Sequence, residues 1–205
     1  MGFSKIAIPT LAAGTSAASV GGYFYATSGR QTKTTVLDKV QASLKDHQRI
    51  LLSKGDSAWE KFKEVYSHQP SKQIPNVSSE QINSWCESTL KGEFVQLKYD
   101  RAMMWCVIYD RSIKDHLGDS LLPESGDGVE EKWKSAWEKF NNDNSKAGDL
   151  QIPDDQLENV DPKGKDKGGP ALQKWCTSKY GVKMYELNAD GLSKKVGRWC
   201  VEAKN

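Results

Sequence analysis

Ser57-Ala58-Trp59-Glu60-Lys61-Phe62 recurs letter for letter as Ser135-Ala136-Trp137-Glu138-Lys139-Phe140, and Gln73-Ile74-Pro75 recurs as Gln151-Ile152-Pro153. Both echoes are displaced by 78 positions. Trp-Cys occurs at Trp85-Cys86, Trp105-Cys106, Trp175-Cys176 and Trp199-Cys200, which uses every one of the four cysteines. Between the copies the displacement grows to 90 at the first Trp-Cys pair and to 94 at the second, so the second copy holds two insertions. The chain therefore carries one unit twice.

Helical spacing runs through both copies. Trp59, Phe62 and Tyr66 share one face; Ile82, Trp85, Cys86 and Leu90 form the next, stopped by Gly92. Ser78 and Gln81 read as a capping box. In the second copy Leu172, Trp175, Cys176 and Tyr180 repeat that spacing, with Pro170 suited to a first helical turn and Gly181 as the stop. The last helix of each unit takes Tyr99, Ala102, Trp105 and Cys106, or Leu192, Val196, Trp199, Cys200 and Ala203. Brief alternation at 94–97 and 182–187 leaves room for a short strand pair. The expected class is mainly α: a membrane-spanning or signal segment followed by a tandemly duplicated helical unit.

Ile6 to Gly29 is 24 residues without a charge, preceded by Lys5 and followed by Arg30. About 20 apolar residues cross a bilayer as a helix, and a lysine on the short N-terminal side favours that end in the cytoplasm. Residues 6–26 thus read as a membrane anchor, with a cleaved signal peptide as the competing reading and a helix of a soluble protein as a third. The domains expected are 1–30, anchor or signal peptide; 31–55, linker and leading helix; 56–122, first unit; 129–205, second unit. From Val36 onward Leu37, Val40, Leu44 and Leu51 fall at spacings of three, four and seven, which places them on one face of that leading helix. Pro123 to Gly128 reads as the inter-unit linker, and Asp161 to Gly169 as a mobile surface loop.

The 29 basic and 27 acidic residues leave a charge of +2, which gives no field for nucleic acid. Duplication favours two disulfides, Cys86 with Cys106 and Cys176 with Cys200, because an ancestral single unit would pair internally; four buried free thiols are the alternative in a cytosolic protein. Metal binding is not expected, since there is no Cys-x-x-Cys, and His47, His68 and His116 have no counterparts in the second copy. No phosphate loop, nucleophile elbow or zincin motif occurs, and no cofactor is expected. The tryptophans other than Trp133 recur between the copies or sit beside cysteines and read as packing residues. Trp133, opposite Gly55, is the one marked for exposure, although its spacing of four from Trp137 allows a core role. Asn76-Val77-Ser78 matches a glycosylation acceptor.

Met1-Gly2-Phe3-Ser4-Lys5 with its small-residue segment, followed by Trp-x-x-Phe, Ile-Pro and paired Trp-Cys, resembles the paralogous families of uncharacterised proteins from haemotropic mycoplasmas. The resemblance implies an anchored or exported protein of a wall-less bacterium living on red blood cells, in a set associated with antigenic variation. It implies no activity. Three readings follow: a non-enzymatic surface protein on the cell membrane, or secreted, that meets host surface or serum proteins or evades immunity; a tethered or secreted hydrolase with a site between the units, whose candidates are His68, His116, Asp110 and Asp115; and a structural protein of the membrane surface.

Overall fold

The computed structural model describes residues 33–153, 155, 157 and 164–202. It is mainly helical: α1 Val36–Ser43, β1 Gln48–Ile50, α2 Trp59–Ser67, α3 Ile82–Lys91, α4 Gln96–Trp105, β2 Val107–Tyr109, α5 Ile113–Leu117, α6 Val129–Asp143, α7 Lys165–Tyr180 and α8 Ala189–Trp199. Among the described residues no helix is long and apolar enough to cross a membrane. The expected anchor, 6–26, lies outside the described residues.

Two separate cores form, one from Val36 to Ile108 and the other from Ile113 to Cys200. They are built alike. Thr35 caps α1 with Asp38 in a capping box, and Ser112 caps α5 with Asp115 in the same way. The next amide repeats too: Val36 N donates to Gly92 O at 3.0 Å, and Ile113 N to Val182 O at 2.8 Å. Further along, Leu51 N donates to Cys106 O and Leu122 N to Cys200 O, both at 2.8 Å. The segment 31–55, set apart in the sequence reading, thus contributes Val36, Val40 and Leu51 to the first core. The second core begins at Ile113, so the boundary between the cores precedes Ser112 rather than falling in Pro123 to Gly128.

Each core is tied at its centre by indole and side-chain hydrogen bonds. Trp105 Nε1 donates to Lys72 O at 3.0 Å, and Trp199 Nε1 to Leu150 O at 2.7 Å, two carbonyls at the 78-residue displacement. Tyr66 Oη accepts from Ile74 N and donates to Val77 O, each at 2.9 Å. At the matching place Asn144 donates to Ile152 O at 2.8 Å and accepts from Ile152 N at 2.9 Å. A phenol and an amide therefore do one job, holding the Ile-Pro loop against the core. Phe62 and Phe140 pack their rings on Trp105 and Trp199 at 6.1 and 5.2 Å. Disulfides close both units: Cys86 to Cys106 with Cα atoms 5.6 Å apart, and Cys176 to Cys200 with 5.8 Å. All four cysteines are fully buried.

Several local expectations are corrected. Leu44 and Leu51 do not extend the leading helix, because α1 ends at Ser43 and His47 turns at φ 63° into β1. Leu51 reaches the core from the end of a strand, since β1 pairs antiparallel with β2 and satisfies both backbones. The anticipated strands at 94–97 and 182–187 reduce to bridge contacts at Glu93 and Lys183, while the helical period of Tyr99 to Trp105 prevails from Gln96 onward. Trp133 is fully buried, and its Nε1 donates to Pro123 O at 3.0 Å. It lies one turn before Trp137 in a helix that starts eight residues ahead of that tryptophan.

Lys165 to Gly169, read as part of a mobile loop, are the start of α7, and Pro170 is its sixth residue. Gly168 and Gly169 are buried there, because without side chains they let α7 lie directly on α6. A Cβ on Gly168 would overlap the Trp137 indole.

Gly168→Val is expected to lower stability by about 1–3 kcal/mol, the usual cost of overpacking a filled contact, in urea unfolding without reductant. Equal midpoints would place that helix elsewhere. Trp199→Phe, which leaves the Leu150 carbonyl without its donor, is expected to cost about 1–3 kcal/mol on the same measurement.

Candidate functional site

The two cores meet where β2 ends. Arg49, on β1, sends Nη1 and Nη2 to the Asp56 carboxylate at 2.5 and 3.2 Å, while its Nε donates to Asp110 Oδ2 at 2.6 Å. Lys183 of the second core reaches Asp110 Oδ1 at 3.0 Å. Asp110 therefore links a cation of one repeat to a cation of the other. The Arg49 hydrogen bonds hold Asp56 and Asp110 below the usual carboxylate range against the opposing effect of burial. The same bonds raise Arg49. Tyr185 titrates above its ordinary value, mainly through burial and then through the Asp110 charge.

Beside this cluster runs an open groove of about 670 Å³, lined by Val65, His68 and Met104 from the first repeat and by Met184, Leu187 and Asn188 from the second. This is the location expected for an enzyme site between the units. The four candidates for it have separate partners. His68 lines the groove, with Nδ1 2.9 Å from Glu64 O. Asp110 is bound by Arg49 and Lys183. Asp115 completes the α5 cap, where the Ser112 hydroxyl and then its backbone hold it below the usual carboxylate range. His116 packs edge-on against Tyr109 at 5.9 Å, and His47 does so on the same ring at 6.1 Å. Among the described residues no group of three or more His, Cys, Asp or Glu could hold a metal ion. The groove offers apolar and polar contact surface, and the ion cluster is a joint between the repeats. Sequence reading missed Arg49 and Lys183, since neither cation has a motif that marks a partner about 61 to 73 positions away.

These features define a class: a tandemly duplicated helical domain with one disulfide per repeat. No family model matches the chain, and no curated protein or solved structure was found to be similar to it.

The depressed carboxylates set the sign of a pH effect. Their stabilisation is complete above the unfolded value near 3.9 and is lost as pH falls through the lower folded values. Because Arg49 is more than a third exposed, solvent screening limits the joint to about 1 kcal/mol. Asp110→Asn is expected to lose that much at pH 7 and to flatten the decline of stability below pH 4, read by urea unfolding across a pH series. An unchanged profile would remove Asp110 from the joint.

Proposed function

We propose that the chain is a tethered or exported surface protein that works by contact rather than catalysis, presenting the duplicated domain outside the cell for host interaction or antigenic variation. The observation that carries this reading is the complete pairing of the four cysteines inside buried cores. Structural disulfides persist in oxidising compartments and are rare in the cytosol. An uncharged stretch behind Lys5 agrees with that location, as does the resemblance to mycoplasma surface families.

A further observation suits recognition. The inner frame is kept between the copies, whereas several outward positions differ: Leu97 stands against Gly191, Met104 against Arg198 and His68 against Lys146. A scaffold that tolerates such exchange can vary its surface at little cost to its core.

Thiol-reactive reagent added to protein unfolded without reductant is expected to label no cysteine, and after reduction to label four. Protease added to intact cells should remove the domain. Full labelling without reductant would return the chain to the cytosolic reading.

A further inference from the structure

The backbone enters the described domain at a definite place. Phe94 N donates to Thr34 O at 2.9 Å, Thr35 bridges Glu93, and Lys33 pairs with Glu93 at 3.0 Å. Residues 33–35 therefore lie along 93–94, immediately before α4. The exposed large hydrophobic residues include Val95 and Leu97, 47% and 57% exposed, which follow that contact directly. Nothing in the fold requires an apolar residue there: the position matching Leu97 in α8 is the exposed Gly191.

Charge around this patch is mixed. Lys33 and Lys91 are offset by Glu93 and Glu87, and Asp38 is committed to the α1 cap. Lys39, over the Phe94 ring at 5.7 Å, and Lys98, on α4, have no carboxylate partner among the described residues.

We infer that the surface formed by Val95 and Leu97 with Lys39 and Lys98 rests on the lipid bilayer that holds the chain's own N-terminal segment. The inference rests on the anchoring in the proposed function. Ala26 and Lys33 are seven peptide steps apart, at most about 25 Å of extended chain. So short a tether holds Lys33, and with it the entry point of the domain, within that distance of the bilayer. Apolar side chains at that face enter the boundary between headgroups and acyl chains, and the free lysines meet anionic headgroups. The docked domain then turns its opposite side outward.

The test uses full-length protein reconstituted into vesicles of phosphatidylglycerol and phosphatidylcholine, with photoreactive p-benzoylphenylalanine in place of Val95, Leu97 or, as control, Gly191. A Cβ at Gly191 meets nothing within 4 Å, so the control is sterically free. Protein recovered by flotation and irradiated is expected to carry phospholipid adducts by mass at 95 and 97, and none above background at 191. Protein that floats but shows no adduct at 95 and 97, or equal adducts at all three positions, overturns the docking while leaving the anchor intact. Protein that fails to float overturns the anchoring and the docking together.

Discussion

The structure depends on a corner made twice, in which a cysteine bridge joins two helices and the tryptophan beside one cysteine hydrogen-bonds a distant loop. Cys86 of α3 meets Cys106 at the end of α4, and Cys176 of α7 meets Cys200 at the end of α8. Each bridge spans 20 or 24 residues, and a loop of that length stabilises by about 3 kcal/mol, mainly through the unfolded ensemble. The indoles of Trp105 and Trp199 extend that fixed point to Lys72 and Leu150. From there the Ile-Pro loop, the Phe62 or Phe140 ring and the first helix of the repeat fall into place.

What differs between the repeats is as informative as what recurs. Tyr66 and Asn144 satisfy the same loop with different chemistry, and α6 with α7 replaces a short helix pair by a long one made possible by Gly168 and Gly169. The joint between the repeats combines the partly exposed charges of Asp110, Arg49 and Lys183, whose strength is modest, with Tyr185 packed against the first core and Met184 N donating to Arg111 O at 2.8 Å. Each repeat has a core and a bridge of its own.

The duplication, the core helices and the cysteine partners were legible because identical letters and the 3.6-residue period mark them directly. The extent of the repeat was not. Thr35-Val36-Leu37-Asp38 and Ser112-Ile113-Lys114-Asp115 match in chemistry but share only the aspartate as a letter, so the leading helix looked like an addition to the first copy. A glycine run reads as a loop until a facing tryptophan gives it a reason to be helical, as Trp137 does for Gly168. Strands of three residues, such as β1 and β2, are too short for alternation to declare them. Trp133 misled because sequence alone gives no sign of where α6 starts.

Each repeat is closed by its own disulfide. Mass spectrometry of a tryptic digest of thiol-blocked, unreduced protein reads that pairing. Linked peptides are expected for Cys86 with Cys106 and for Cys176 with Cys200, and no others; peptides joining a cysteine of one repeat to a cysteine of the other, or blocked free thiols at these four positions, would contradict the closure of each repeat by itself.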